Sequence, residues 1–300
     1  MSSPRRFQAL ELVTQAAQRG TSATVLVEGE EDLSDAWLLG QMLRPFAQQI
    51  SFHGRGSWVD VIRDLEHLLP YSPPDQVFAV LDRDFASDEE VETCYAPGYR
   101  GHLFRWRRYT IENYLLEPDW IAEFVDTVLE TVPPKLATPE SVEKLMLGWC
   151  ARLAPQVAGN WVIADLTRET MRRNLRVEAR QYFEALTDRD STWVLAELTK
   201  KYGGWGATYP ALFTPDALQS RFQDRFAKIM AKIQLLSGAH EVINGRMLLK
   251  AFQAELPSSL RAYVRKPLIL EASKQVPEDI RVLFEERILP RWRRAREGQA

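Results

Sequence analysis

Carboxylate side chains follow three short apolar runs of this sequence, and their placement indicates metal chemistry. They are Glu28 after the first run, Asp82 and Asp84 after the most apolar run, and Glu112 shortly after the last. If the runs are neighbouring parallel strands, their carboxyl ends meet at the sheet edge where ligands of such sheets bind. Carboxylates gathered there repel one another unless a cation neutralises them, and hard oxygen ligands suit Mg²⁺ or Mn²⁺.

The two aspartates support the same hypothesis by their spacing. Asp82 and Asp84 are two residues apart, so in an extended chain their side chains point the same way and can share one cation. Such a cation holds a phosphodiester, activates a water molecule and stabilises the leaving oxygen. The alternative for any single acidic stretch is a solvated loop, in which Asp32 caps the helix that follows. Three acidic stretches at one predicted edge favour the metal site.

Arginines alternate with aromatic residues just before the last of these acids. Arg105, Arg107 and Arg108 suit contacts with phosphates, and the interleaved Trp106 suits base stacking. The same stretch also fits a strand that buries Trp106 in the core while the arginines pair with the many acids. Both interpretations stay open at the level of sequence.

A glycine-rich stretch, His53-Gly-Arg-Gly-Ser57, lies between a predicted strand and a predicted helix. Glycines in this place allow the backbone to approach a phosphate closely. The stretch matches neither GxGxxG nor GxxxxGK[ST], which disfavours dinucleotide binding and NTPase chemistry. It predicts a tight turn, with His53 or Arg55 facing the site as the alternative.

The elements that must position these residues alternate apolar runs with amphipathic segments. The predicted strands and helices of the first part are 24–27, 32–48, 50–52, 57–68, 77–81 and 102–106. This alternation predicts an α/β fold, a parallel sheet flanked by helices. Periodicity near 3.6 then predicts helices at 118–131, 139–153, 176–187, 191–201, 214–235, 245–255 and 276–296. We therefore expect a sheet domain over 1–116 and a mainly α-helical domain over 117–300, which acts as lid, dimerisation surface or partner surface.

Composition narrows the classes of protein that remain. The length of 300 residues predicts two domains, or one with a large insertion, and a composition of 45% hydrophobic and 26% charged residues excludes disorder over most of the chain. The net charge of −3 leaves any nucleic-acid contact to a local basic patch. Cys94 and Cys150 lie far apart and form no CxxC motif, which indicates a reducing compartment. With no signal-like apolar stretch and no run long enough to span a membrane, we expect a cytoplasmic protein.

The acidic motifs resemble those of a known family. Val-Leu-Val-Glu28-Gly-Glu-Glu-Asp32 and Val-Leu-Asp82-Arg-Asp84 look like the Toprim domain, over about residues 22–116. The stretches 109–116 and 243–249 resemble a narrower branch, the OLD-like Toprim proteins that include AriB-type effectors of PARIS antiphage defence. The resemblance implies that Glu28 and Asp82 are catalytic. It also implies a Mg²⁺ (or Mn²⁺) site whose ligands are Glu28, Asp32, Asp82, Asp84 and Glu112.

The same resemblance implies a function. It predicts a Mg²⁺-dependent endonuclease, a toxic effector that cleaves tRNA as a homodimer once an AriA-like, ABC-type ATPase releases it. Arg246, which stands where the family often has lysine, joins the predicted phosphate contacts. The alternatives are an OLD-like DNA nuclease and a non-catalytic Toprim module that assembles with an ATPase. A phosphoacceptor domain is disfavoured because it needs a lysine near the site, and residues 1–134 contain none.

Overall fold

The chain divides into two compact units. The computed structural model describes residues 13–15, 21–29, 35–175, 183 and 189–298. The first unit comprises Met1–Leu115 and Ser259–Ala300, and the second comprises Leu116–Ser258. The sequence-based division placed all of 117–300 in one helical domain, whereas the structure assigns the C-terminal segment from residue 259 to the unit that contains the sheet.

The first unit is built on four parallel strands. They are β1 (Ala23–Val27), β2 (Ile50–Gly54), β3 (Val77–Leu81) and β4 (Leu103–Arg105), in the order β2-β1-β3-β4. The two central strands, β1 and β3, are buried at every position, which explains why they read as unbroken apolar runs. The predicted α/β fold with a parallel sheet is therefore confirmed.

Helices connect the strands, and the sequence pattern predicts those before β2 and β3 but not the one before β4. They are α1 (Asp35–Met42), α2 (Trp58–Leu68) and α3 (Asp88–Tyr95). α2 begins one residue after the predicted start at residue 57, and Ser57 and Asp60 form a reciprocal capping box there. α1 is shorter than the predicted helix 32–48, because a 3₁₀ turn with proline at its second position, Arg44–Phe46, follows it. Asp32, the predicted cap of that helix, lies outside the described residues.

Each face of the sheet carries its own apolar layer. On one face α2 packs over the central strands through a cluster whose members are Val13, Leu26, Val61, Leu65, Leu68, Val77, Ala79 and Leu81. On the other face the ring of Phe284 makes an edge contact with Phe52 at 5.4 Å between centroids and a tilted contact with Trp106 at 6.4 Å. Burying each such side chain contributes about 1.5–3 kcal/mol.

The second unit is helical. Its longer helices are α4 (Pro118–Val128), α5 (Pro139–Arg172), α6 (Ser191–Tyr202), α7 (Pro215–Lys232), α8 (Leu236–Val242) and α9 (Gly245–Glu255). The helix predicted at 245–255 matches α9 at both ends. α5 runs well beyond the predicted end at residue 153 and passes through Pro155. Most of the helix predicted at 176–187 lies outside the described residues.

Ion pairs and an aromatic contact fasten α5 to α7 within this unit. Arg225 donates two hydrogen bonds to Asp165, at 2.6 and 2.7 Å, and stacks over the ring of Trp161. One turn away, Arg221 donates to Glu169 at 2.9 Å. Fork-to-carboxylate pairs of this kind fix the geometry of two helices as well as adding energy.

The C-terminal segment returns to the first unit. It contains α10 (Arg265–Lys274), a π-helical run (Val282–Ile288) and α11 (Leu289–Glu297). α10 packs against α1 and against the 3₁₀ turn Ile111–Leu115. The continuous helix predicted at 276–296 is therefore interrupted by π geometry. Across the part of the chain that the structure describes, no helix is both long and apolar enough to cross a membrane.

Candidate active site at the carboxyl edge of the sheet

Two of the predicted catalytic residues meet where the central strands end. The register pairs Val27 of β1 with Val80 of β3, so Glu28 and Asp82 follow at adjacent strand ends. The backbone N–H of Asp82 donates a hydrogen bond to Oε1 of Glu28 at 3.0 Å. Glu28 is half-buried and Asp82 is buried. The structure thus brings together one glutamate and one aspartate that lie 54 residues apart in the sequence.

Glycines hold the turn that carries Glu28 against the glycine-rich stretch after β2. Gly29 and Gly56 both adopt positive φ, at 87° and 81°, and exchange two backbone hydrogen bonds. The backbone N–H of Arg55 also donates to the carbonyl of Val27 at 2.9 Å. A residue with a Cβ is strained at such φ values, so glycine suits both positions. The predicted tight turn is confined to residues 55–57, because His53 and Gly54 belong to β2, and it borders the Glu28 turn.

His53 lies at the end of β2, beside Leu26 of β1. Its Nε2 atom is buried, and no hydrogen-bond partner for it exists among the described residues. Burial, with a smaller effect of the neighbouring Arg55, lowers the pKa of His53 below its ordinary value of 6.5. The imidazole is therefore neutral at pH 7.

The guanidinium of Arg55 forms a buried ion pair. It donates from Nε to Oδ2 of Asp64 on α2 at 2.7 Å, with both side chains almost fully buried. This pair fastens the glycine-rich turn to α2, and loss of Asp64 would leave the buried guanidinium of Arg55 without this charge partner. The sequence analysis names His53 and Arg55 as residues that could face the site. The side chain of Arg55 points to α2 instead.

Asp84 does not share the extended geometry that its spacing from Asp82 suggested. β3 ends at Leu81, and Asp84 adopts the left-handed region with φ of 45°. The backbone N–H groups of Arg83 and Asp84 both donate to the carbonyl of Tyr109, which pulls the chain out of the strand direction. The argument that two side chains two residues apart point the same way thus fails at this turn.

Glu112 is placed in a buried 3₁₀ turn and faces a cation. Its Oε1 accepts a hydrogen bond from Arg265 of α10 at 3.4 Å, and Glu112 is only 3% exposed. Asn113 supports the turn by accepting from the backbone N–H of Thr110 at 2.9 Å. An arginine therefore pairs with this carboxylate, for which the resemblance implied a metal.

The three arginines before Glu112 have distinct partners. Arg105 donates to the backbone carbonyl of Asp82 at 3.0 Å, so its guanidinium lies beside the candidate site. Arg107 pairs with Glu92 at 3.0 Å and with Asp279 at 3.3 Å. The contacts of Arg107 therefore match the alternative interpretation, in which the arginines of this stretch pair with acids.

Arg108 and the aromatic residues of the stretch complete its local structure. Arg108 stacks over the ring of Tyr114 and donates to the carbonyl of Asn113 at 2.9 Å. Trp106 is fully buried and packs against Tyr114, as the core alternative requires. Arg246 belongs to the second unit, where it is exposed in the first turn of α9.

An exposed aromatic residue that sequence reasoning missed stands next to the glycine-rich turn. Trp58, the first residue of α2, is 51% exposed, and so is its neighbour Val59. Trp58 follows Gly56 by two residues, and Gly56 is bonded to the residue after Glu28. The sequence signal for Trp58 is its place directly after the turn, where a large apolar side chain begins an otherwise amphipathic helix.

The donor atoms at this edge fit a magnesium ion. Mg²⁺ prefers oxygen ligands and often takes only one or two carboxylates, with waters and substrate phosphates completing the octahedron. Glu28 and Asp82 supply that minimum. Within the described ranges no group of three or more His, Cys, Asp or Glu side chains forms a metal cluster, and the predicted ligand Asp32 lies outside them.

No protein-family model matches the chain, and a search of curated proteins finds no match.

Proposed function

We propose that this protein is a Mg²⁺-dependent endonuclease of the OLD-like Toprim kind, with RNA as its substrate. One observation carries the proposal: the carboxylate of Glu28 contacts the backbone of Asp82 at the carboxyl edge of a parallel sheet. That edge is where ligands of such sheets bind. The carboxylates of Glu28 and Asp82, at neighbouring strand ends, can supply both a general base and oxygen ligands there.

Three residues at this edge would share the chemistry of the reaction. Glu28 orients the attacking water and accepts its proton, and Asp82 holds the site's second negative charge. Glu28 and Asp82 would hold the magnesium ion, which supplies charge stabilisation for the phosphodiester when bound. Arg105, anchored on the carbonyl of Asp82, brings a guanidinium to the same edge for phosphate contact.

The exposed face beside the turn fits an unpaired strand better than a duplex. Trp58 is half exposed and offers a surface on which an unstacked base can lie. Sequence-specific recognition of RNA uses single-stranded loops and ends in this way. We therefore favour a structured RNA with accessible loops, such as tRNA, as the substrate, and the cytoplasm as the place of action.

The resemblance of the acidic motifs extends the proposal to regulation. We propose that an ABC-type ATPase of an antiphage defence system restrains the protein, and that the released form acts as a homodimer. Restraint follows from the chemistry, because an unrestrained ribonuclease degrades the RNA of its own cell. The helical second unit is the part of the chain proposed to bear the partner or dimer surface.

Cleavage assays with matched variants test the proposal. Purified protein is incubated with total cellular RNA and, separately, with plasmid DNA, in Mg²⁺ or Mn²⁺ and with EDTA controls. We expect discrete metal-dependent tRNA fragments, and a loss of about 10²–10⁴-fold in rate for Glu28→Gln. Glu92→Gln, which changes an exposed glutamate that pairs with Arg107, is the matched control and should retain full activity.

The outcomes separate the proposal from its alternatives. Cleavage of DNA alone would keep the site and replace RNA with DNA as the substrate. A non-catalytic module is the second candidate, favoured by the ion pair that neutralises Glu112. That module predicts no cleavage with or without the ATPase, together with a stable complex whose formation is independent of Mg²⁺. Equal activity of Glu28→Gln and wild type would refute the assigned role of Glu28.

A further inference from the structure

A buried arginine organises the amino edge of the sheet, opposite to the candidate active site. Arg291 of α11 donates to Asp75, which precedes β3, and to the carbonyl of Gly101, which precedes β4, at 2.6 Å for the latter. It also donates to the carbonyl of Arg100 at 3.0 Å and lies over the ring of Phe78. These contacts fasten α11 to the sheet and use four of the five N–H donors of Arg291.

Three further arginines line a small cavity beside this anchor. They are Arg100 before β4, Arg287 in the π-helical run and Arg294 in α11, and the cavity has a volume of about 40 Å³. Within the described residues, none of the three guanidinium groups takes part in a hydrogen bond or an ion pair. The lining includes one acid, Glu286, which is exposed.

The position of Arg287 is the second, independent observation. Its Nε atom is buried, yet it has no hydrogen-bond partner among the described residues. A buried donor of a charged group without a partner is costly, so folded proteins rarely keep one without a reason. π-helical segments are rare and recur at functional sites. Arg107, Arg265 and Arg281 of the same unit all pair with acids, which sets the cavity arginines apart.

We propose that this cavity binds a phosphate group, held by Arg100, Arg287 and Arg294. Guanidinium groups match the oxygen geometry of phosphate and form strong charge-assisted hydrogen bonds with it. A water molecule needs about 10–15 Å³ on the same measure, so the cavity has room for about three, close to the size of one phosphate. The site lies beside β4, near its amino end, and does not rest on the proposed nuclease activity.

The phosphate has two chemical sources that the experiment distinguishes. One is a free or small-molecule phosphate, and the other is a phosphate of a nucleic-acid backbone. Inorganic phosphate is titrated into the full-length protein by isothermal calorimetry at constant ionic strength, with chloride as the competing anion. We expect Arg294→Gln and Arg287→Gln each to weaken phosphate binding about tenfold, the effect of losing one charge-assisted contact.

A neighbouring arginine provides the matched control. Arg293 is exposed on the same helix and donates to Gln49 instead of lining the cavity. Arg293→Gln removes the same charge and should bind phosphate as the wild type does. Because Arg294 is exposed, Arg294→Gln should keep the wild-type melting temperature, so loss of binding cannot be ascribed to unfolding.

The second arm uses a single-stranded oligonucleotide without terminal phosphates. If Arg294→Gln weakens its binding as much as it weakens phosphate binding, the backbone is the source. If the oligonucleotide binds all variants equally while phosphate binding still falls, the source is a small phosphate compound. The proposal is overturned if the wild-type protein binds no phosphate at millimolar concentrations, or if Arg287→Gln and Arg294→Gln bind it as tightly as Arg293→Gln.

Discussion

At the scale of single residues, the environment of each side chain decides its role more than its type does. Glu28 and Glu112 are both glutamates that follow strands, yet one contacts the backbone of Asp82 and the other faces Arg265. Arg105 and Arg107 are two residues apart, yet one lies beside the candidate site and the other bridges Glu92 and Asp279. We therefore propose that Glu28, Asp82 and Arg105 carry the chemistry.

Trp58 allows substrate contact to be separated from stability. Stacking of a base on an aromatic side chain contributes about 1–3 kcal/mol, so Trp58→Ala should weaken binding of single-stranded RNA by roughly 5–150-fold. Because half of the side chain is already exposed, the free energy of unfolding should change by only about 0.5 kcal/mol. Fluorescence anisotropy with a labelled oligonucleotide measures the first and urea denaturation the second. Tyr71→Ala, at a more exposed aromatic after the other end of α2, is the control.

His53 predicts how stability depends on pH. Burial lowers the pKa of the folded imidazole below 6.5, while the unfolded chain titrates at the ordinary value. Between these two pKa values the unfolded state binds more protons, so the free energy of unfolding should fall as the pH drops below 6.5. His53→Phe should remove this component, because the ring stays but the titrating group is lost. Urea denaturation across that range provides the measurement, and an unchanged slope in the variant would contradict the assignment.

At the scale of elements, the turns matter more than the strands for building the site. The turn at 55–57 is joined to the Glu28 turn through Gly56, to α2 through the buried pair Arg55–Asp64, and to the start of that helix through Ser57. Each connection is local to one sheet edge. The position of Glu28 therefore depends on residues that carry no catalytic chemistry.

Gly56 tests this dependence. At φ of 81° a Cβ is strained, so Gly56→Ala should lower the free energy of unfolding by about 1–2 kcal/mol and also reduce cleavage by displacing the turn beside Glu28. Gly98→Ala is the matched control, because a Cβ at that glycine meets nothing within 4 Å. Denaturation curves and cleavage rates of the two variants are compared. Equal effects of the two substitutions would show that the turn conformation is unimportant.

The sequence predicts elements well where the pattern is local, and fails where long-range contacts decide. β3 coincides with the predicted run 77–81, and α9 with the predicted 245–255. The turn at Asp84 depends on the carbonyl of Tyr109, and Asp279, one of the two acidic partners of Arg107, is 172 residues away from it. No periodicity reports such contacts, so the convergence of Glu28 and Asp82 was predictable from strand ends, whereas the surroundings of Glu112 were not.

At the scale of the whole molecule, the chain leaves the first unit and returns to it. Residues from 259 onward supply α10, the π-helical run and α11 to that unit. They contribute Phe284 to the apolar layer under the sheet and Arg265 to the surroundings of Glu112. The sheet domain is therefore formed by two distant parts of the sequence, and the helical unit is an insertion between them.

This arrangement predicts which parts of the molecule lose stability together. Phe284 is fully buried, and Phe284→Ala should lower the stability of the first unit by about 3–5 kcal/mol, a large share of a typical domain's total. Hydrogen exchange followed by mass spectrometry should then show faster exchange in β1, β2 and β3, although Phe284 lies more than 200 residues later in the chain. Peptides of α5 and α7 should keep their wild-type exchange rates.

A substitution of similar size in the second unit should give the reverse pattern. Leu198 of α6 is fully buried, and Leu198→Ala should cost about 2–5 kcal/mol. Because cooperative units open separately, the faster hydrogen exchange of this variant should be confined to the helical unit. The amides of β1 and β3 should stay protected. If either variant instead raised exchange equally throughout the chain, the two units would unfold as one. In that case the C-terminal segment would stabilise the whole protein, and not the sheet unit in particular.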